Sequence, residues 1–238
     1  MKQADVVISG GGMVGLTLGL ALAQGGLRTA IVDLVPASTI LVPTFDGRVS
    51  ALAYASVRML AALGVWDDLS PHAQPIREIL VTDGQMGKAA SPFSLHFDAQ
   101  EVGADSLGHI AENRHTRAAL YAAVARTPGL ELRAPATVKD VTIQAGAAVV
   151  TLSDGLQVFA PLVIAADGRE SPLRARMGIN VVGWSYPQTG IVATVEHEKP
   201  HNGVAYEHFL PAGPPDARIW LAGDGSVRSA FNASGRDS

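Results

Sequence analysis

Three glycines, Gly10, Gly12 and Gly15, stand in the spacing G-x-G-x-x-G, and an acid, Asp33, closes the apolar run that follows them. Residues of these types in this order can hold the ADP half of a dinucleotide. Gly10 permits a tight turn, Gly12 lets backbone amides approach a pyrophosphate, and Gly15 with Gly19 lets the next helix lie close to a sheet. Asp33 can accept both hydroxyls of an adenosine ribose. Leu34 and Val35 follow it, so no arginine is at hand for a 2′-phosphate, which disfavours NADP at this position. NAD and FAD stay open, because both present an ADP moiety.

The elements that must position these residues are a strand over Asp5–Ser9, a helix over Val14–Gln24 ending at Gly25-Gly26, and a second strand over Leu27–Val32. The uncharged run from Val6 to Ala23, with Gly11, Gly15 and Gly19 at four-residue spacing, also has the look of a membrane-spanning helix. Two features oppose that reading. The run opens on the β-branched block Val6-Val7-Ile8, and its glycines crowd at Gly10-Gly11-Gly12, where a spanning helix tolerates them least. No basic segment and small-residue cleavage site mark it as a signal peptide.

The 238 residues are 47% hydrophobic and 17% charged, the balance of a chain with a well-buried core. Eighteen Lys and Arg against 22 Asp and Glu give a formal charge of −4, with no long basic block, so nucleic acid is not an expected partner. The absence of cysteine excludes a disulfide, a thiolate nucleophile, an Fe–S cluster and Cys-ligated zinc. His197 and His201 are four apart with His208 nearby, but Pro200 interrupts any helix that would align the first two, and no metal site is expected.

Further along, Leu162-Val163-Ile164-Ala165-Ala166 reads as a buried strand that ends in Asp167-Gly168, with Arg169, Ser171 and Arg174 opening a short helix. A strand followed by Ala-Asp-Gly-x-x-Ser-x-x-Arg resembles the class A FAD monooxygenases, the aromatic hydroxylases of p-hydroxybenzoate hydroxylase type. That resemblance selects FAD as the dinucleotide. It also implies that Asp167 and Gly168 lie near both the flavin and an incoming NAD(P)H.

Asp46-Gly47-Arg48-Val49-Ser50-Ala51-Leu52, with Ser56, Leu60, Leu63-Gly64 and Trp66 behind it, is similar to a stretch of the ubiquinone-biosynthesis hydroxylases within that class. Leu52, Leu60 and Leu63 recur near helical spacing, Gly64 can cap the helix, and Arg48 falls in the preceding loop. By resemblance Arg48 lies beside the flavin. The segment Glu112-Asn113-Arg114-His115-Thr116-Arg117-Ala118-Ala119-Leu120 resembles a helix start in the same family, which implies that Asn113 touches the ribityl chain and Arg117 lies near the nucleotide. Asn113 is also a natural N-cap. Ile191–Glu198 and Ala205–Pro214, with its Phe-Leu-Pro-x-Gly-Pro turn, resemble substrate-domain strands.

The resemblance implies an FAD-dependent monooxygenase in which NAD(P)H reduces the flavin, dioxygen forms a flavin C4a-hydroperoxide, and a phenolic ring, a polyprenylphenol of the ubiquinone pathway, is hydroxylated. The cofactor carries that chemistry, so no catalytic acid or base is assigned. Expected partners are the phenolic substrate and dioxygen, with room for a ubiquinone-pathway enzyme complex. The expected location is the cytoplasm, with peripheral contact at the inner membrane. Two other readings stay open: a nucleotide-binding remnant without full activity, and an NAD-dependent dehydrogenase, although no catalytic His or Tyr-Lys pair is found for the latter.

The fold expected is α/β, a Rossmann-like three-layer FAD-binding domain with an interleaved, incomplete substrate-binding β-sheet domain. Residues 1–70 and 98–180 would form the first, and 71–97 and 181–214 the second. Within the first, Glu131–Lys139, Thr142–Thr151 and Leu156–Ala160 read as a small β insertion with a hairpin turn at Asp154-Gly155. The resemblance fades after Pro214. The Gly-, Ser- and Asp-rich tail, 215–238, reads as poorly packed coil, and the expectation is a truncated or frame-shifted member of the family.

Overall fold

The computed structural model describes residues 2–41, 47–84, 92–185, 189–196, 200–209 and 226–233. The chain begins with β1 (Lys2–Gln3), β2 (Val6–Ser9), α1 (Met13–Gln24), β3 (Thr29–Val32) and α2 (Ala37–Ile40). β4 (Val49–Ala53), α3 (Tyr54–Ala62), α4 (Trp66–Leu69), β5 (Ala73–Ile76), β6 (Glu78–Asp83) and β7 (Ser94–Asp98) come next. Then follow β8 (Gly108–Glu112), α5 (Asn113–Arg126), β9 (Leu130–Arg133), β10 (Val138–Gln144), β11 (Ala147–Leu152) and β12 (Gln157–Ala160). The last elements are β13 (Leu162–Ala165), α6 (Pro172–Arg176), β14 (Thr189–Glu196), β15 (Val204–Phe209) and β16 (Ser226–Ala233). They group into two units: Met1–Thr44, Leu60–Leu69 and Arg114–Val182 in one, Phe45–Met59, Ser70–Asn113 and Gly183–Ser238 in the other.

The first unit is built on a parallel sheet in the order β13-β2-β3-β9, with Val6 paired to both Thr29 and Leu162, and Val32 to Arg133. Every residue of β2 and β3 is buried, which is why the strands do not alternate apolar with polar and carry polar residues only at Ser9 and Thr29, at one end of each. One face of this sheet carries α1, whose Leu16 and Leu20 are fully buried, each worth about 1.5–3 kcal/mol of removed apolar surface. A second sheet, β1-β12-β11-β10, contributes Val150, Leu152, Val158 and Ala160 to a core shared with Val7, Ala30 and Val32. The Asp154-Gly155 turn joins β11 to β12, with Gly155 at φ +82° and the Asp154 Oδ1 accepting from the Leu156 N–H at 2.9 Å.

One boundary expected from the sequence is different. Glu131–Lys139 is not a single strand of the β insertion, because Leu130–Arg133 forms β9 and pairs with β3 instead. Leu130 comes within 3.2 Å of the position a Gly19 side chain would take, so β9 helps to seal α1 on the parallel sheet.

In the second unit β4, β8 and β5 form an antiparallel sheet, and β15, β6 and β7 a mixed one, with β15 parallel to β6. Ile76, Ile110 and Ala205 are its buried apolar core, with Val49 and Ile79 packed against them. Leu52, expected on a helix, lies in β4 opposite His109 of β8, and the helix begins only at Tyr54. The strand wins because β8 offers a full antiparallel ladder from Gly108 to Glu112. Gly64, at φ +69°, closes the following turn: its N–H donates to the Ala61 carbonyl and the Val65 N–H to that of Leu60.

The tail also departs from expectation. Ser226–Ala233 is not coil but strand β16, antiparallel to β14 from Ser226 opposite Glu196 to Ala233 opposite Thr189. Backbone pairing of this kind does not need an apolar sequence, which is why the composition concealed it. Asp46, His197, Glu198, Leu210–Pro214 and Leu221–Gly225 lie outside the described residues. Among the described residues no helix is long and apolar enough to cross a membrane.

Candidate functional site

Two glycines at the passage from β2 into α1, Gly10 and Gly15, admit no side chain. Gly10 has φ +109°, and a Cβ on it would stand 2.2 Å from the Ala166 carbonyl oxygen. A Cβ on Gly15 would stand 1.9 Å from the Gly10 carbonyl oxygen. Both obstacles are backbone, so neither can move aside cheaply. Gly19 is different: its nearest obstacle, at 2.5 Å, is the flexible Cδ1 of Ile31.

Gly12 plays another part. It precedes α1 with an extended backbone (φ −70°, ψ 178°), and nothing lies within 4 Å of where its Cβ would be. No side chain caps α1 and no acid occupies its first turn. The leading amides of a twelve-residue helix, with the positive end of its dipole, thus point to open space, the arrangement that receives an anion.

That space is a cavity of about 400 Å³, with Gly10, Gly12 and Asp33 on one side and Asp167, Gly168 and Ala136 among its other walls. Asp33 stands directly after β3 and is held at both oxygens by backbone. Its Oδ2 accepts the Gly11 N–H at 2.6 Å and its Oδ1 the Val35 N–H at 2.7 Å. Each oxygen retains a lone pair, so the carboxylate is oriented without being used up. The 136–138 segment lies beside it through a bond from the Ala136 N–H to the Asp33 carbonyl at 2.7 Å.

Asp167 and Gly168 follow β13 on the far wall. Gly168 takes φ +95°, a conformation that favours glycine. The Asp167 carboxylate faces α6: Oδ1 accepts the Ser171 hydroxyl and Oδ2 the Leu173 N–H at 3.1 Å. Ser171 in turn caps α6 by accepting the Arg174 N–H at 3.0 Å. The Asp-Gly-x-x-Ser-x-x-Arg spacing is therefore the spacing of a closed hydrogen-bonded turn.

Arg117 lies in the second turn of α5, in the same unit. One turn on, Tyr121 is buried and its hydroxyl has no hydrogen-bond partner among the described residues. Burial pushes this phenol's pKa up, the Asp33 charge pushes it further, and Arg117 opposes both. Arg48 and Asn113 belong to the second unit and meet there: the Asn113 N–H donates to the Arg48 carbonyl at 3.0 Å, and the Ser50 hydroxyl to the Asn113 Oδ1 at 2.6 Å.

The structure thus brings Gly10, Gly12, Gly15, Asp33, Asp167 and Gly168 to one place within the first unit. Sequence reasoning gave no part in the site to Gly11, Val35 or the 136–138 wall, and it read Ser171 only as a motif residue. Gly11 carried a signal, since a Cβ there would stand 2.9 Å from the Asp33 Cβ, but only the folded turn reveals it. Among the described residues no cluster of His, Asp and Glu could hold a metal ion.

Residues 3–225 match a family described as the FAD binding domain. The chain is 44% identical over 213 residues to a ubiquinone hydroxylase, UbiL, of Rhodospirillum rubrum, covering 90% of this chain and 48% of that protein. It is 32% identical over 215 residues to the 3-demethoxyubiquinol 3-hydroxylase of Escherichia coli K12, covering 90% and 54%. The chain spans about half the length of the curated relatives it matches. In fold it is similar to PqsL of Pseudomonas aeruginosa, described as a probable FAD-dependent monooxygenase (TM-score 0.80, 19% identity, 97% of this chain and 60% of that one). It is similar also to p-nitrophenol 4-monooxygenase PnpA of Pseudomonas putida (TM-score 0.77, 19% identity, 100% and 60%).

Proposed function

The chain belongs to the FAD binding domain family, and from that premise we propose that it works as a flavin-dependent monooxygenase, with NAD(P)H as electron donor, that hydroxylates a phenolic ring of the ubiquinone-precursor type. The observation that carries this reading is the glycine cradle at the head of α1, closed to side chains at Gly10 and Gly15, open at Gly12, and facing an oriented Asp33. A pyrophosphate fits the α1 amides, and an adenosine ribose fits the free lone pairs of Asp33.

In this proposal Gly10, Gly12, Gly15 and Asp33 hold the ADP half of FAD, and Arg117 stands near the nucleotide. Asp167 and Gly168 take the flavin-side wall, and Arg48 and Asn113 bear on the flavin and its ribityl chain. When bound, FAD supplies the transfer of reducing equivalents from NAD(P)H and the activation of dioxygen. The residues bind it, orient it and keep water away; none is assigned as acid or base. The phenolic substrate is supported by the relatives, a ubiquinone hydroxylase and a 3-demethoxyubiquinol 3-hydroxylase. A polyprenyl substrate would bring the protein to the inner face of the cytoplasmic membrane as a peripheral visitor and into the company of other enzymes of the same pathway.

The test is direct. The purified chain is given FAD, and its visible spectrum, its FAD affinity and its NADH or NADPH oxidation with and without a polyprenylphenol are recorded. Bound flavin with phenol-stimulated oxidation is the expected result; a colourless chain that takes up no FAD overturns the proposal.

A further inference from the structure

Ser171 is a polar side chain that folding hides almost completely, at 5% exposure, although it lies outside the wall of the nucleotide cavity. Its hydroxyl makes two bonds of opposite sense: it donates to Asp167 Oδ1 and accepts from the Arg174 N–H. Asp167, by contrast, does line the cavity. A carboxylate in that wall would repel the pyrophosphate that the α1 amides are arranged to receive. With Oδ1 on Ser171 and Oδ2 on the Leu173 N–H, Asp167 cannot turn its charge into the cavity without breaking both bonds. The Arg174 guanidinium ties the turn again by donating to the Arg169 carbonyl at 2.9 Å, so Gly168 is fixed between anchored neighbours.

We propose that Ser171 is a positioning residue of the nucleotide site, acting through Asp167: it holds the carboxylate against α6, away from the anionic dinucleotide, and so raises affinity for FAD. The proposal rests on the reading of the cavity as an FAD site. A purely structural role would be the capping of α6, and the two roles separate by experiment. Ser171→Ala removes both the cap and the tether. Ala175→Gly, at an exposed position of α6, weakens the helix by backbone entropy alone.

FAD affinity is measured by flavin-fluorescence titration for the unsubstituted chain, Ser171→Ala, Ala175→Gly, Asp167→Ala and the Ser171→Ala/Asp167→Ala pair. The expected result is a loss of about tenfold for Ser171→Ala, none for Ala175→Gly, and no further loss on adding Ser171→Ala to Asp167→Ala. Unchanged affinity in Ser171→Ala, an equal loss in Ala175→Gly, or an undiminished loss in the Asp167→Ala background overturns it. If the unsubstituted chain takes up no FAD, the cofactor reading fails, and the tether is judged by NMR couplings that report the Asp167 χ1 angle. A single rotamer in the unsubstituted chain and Ala175→Gly, averaged in Ser171→Ala, supports positioning; a single rotamer in all three overturns it.

Discussion

The Asp33 carboxylate accepts the Gly11 amide at 2.6 Å, a bond between the end of β3 and the turn that precedes α1. In the proposed dinucleotide site it joins the ribose acceptor to the pyrophosphate cradle before any ligand arrives. Orienting the carboxylate in advance removes part of the ordering cost of binding. It also explains why Gly11 is a glycine, since a Cβ there would press on the Asp33 side chain.

Substitutions across the cradle should divide into two kinds. Gly10→Ala and Gly15→Ala drive a methyl group to 2.2 Å and 1.9 Å from backbone oxygens, and each is expected to destabilise the fold by about 1–3 kcal/mol or more and to abolish FAD binding. Gly12→Ala meets open space, so its stability should change by less than about 1 kcal/mol while FAD affinity falls, because the methyl group occupies the pyrophosphate's place. Thermal melts with FAD titrations separate the two; a Gly12→Ala protein that binds FAD normally contradicts the pyrophosphate placement.

Asp33→Ala removes the proposed ribose acceptor and strands the Gly11 N–H. Stability should drop by about 1–2 kcal/mol even without ligand, and FAD affinity by more than that alone would give. Comparing FAD with FMN, which lacks the adenosine, isolates the second effect: only FAD binding should suffer from the lost ribose contact.

The βαβ unit was legible because Gly10 and Gly15 answer steric demands that their spacing exposes, and the strand ends fell at Ser9 and Val32. Leu52 was misplaced because a short apolar stretch between Arg48 and Leu60 suits a helix or a strand equally, and only the partner strand β8 decides. The wall at Ala136 could not be read, since it reaches Asp33 only through the pairing of β9 with β3. Asp167 was expected near the flavin by resemblance; that its carboxylate is engaged by α6 could not be read, because the contact depends on the turn at Gly168.

Tyr121 is 6% exposed, and its hydroxyl is buried without a partner among the described residues, a desolvation cost with no compensation there. Tyr121→Phe should therefore stabilise the protein by about 1 kcal/mol near neutral pH. The gain should widen above pH 10, where the unfolded phenol ionises more readily than the native one, whose pKa is raised by burial and by Asp33. Denaturant melts at pH 7 and pH 10.5 check both statements; a less stable Phe variant would mean that the hydroxyl has a partner in solution, such as a buried water.

Asp5 and Arg28 frame the entrance of β2 and β3 with a two-pronged contact, Oδ1 to the guanidinium at 2.8 Å and Oδ2 to both the Arg28 Nε and its backbone N–H. The side-chain bond to Arg28, followed by the backbone bond and the guanidinium charge, holds the Asp5 carboxyl below its usual pKa of 3.8. A carboxylate with a depressed folded pKa adds stability that is fully present above the unfolded value and vanishes as pH falls through the folded one. The contribution should thus be constant through neutral pH, begin to fall near the unfolded Asp value of about 4, and be lost only as pH drops through the lower folded value. Being exposed, it is also screened by salt. Asp5→Asn is expected to be slightly less stable than the unsubstituted chain at pH 7 and indistinguishable from it at the acid end, with the gap narrowed in 1 M NaCl, where the Debye length is about 3 Å. Urea melts from pH 7 to pH 2.5 measure this difference, and a gap that persists undiminished at the lowest pH would show that Asp5 acts through its neutral hydrogen bonds and not through its charge.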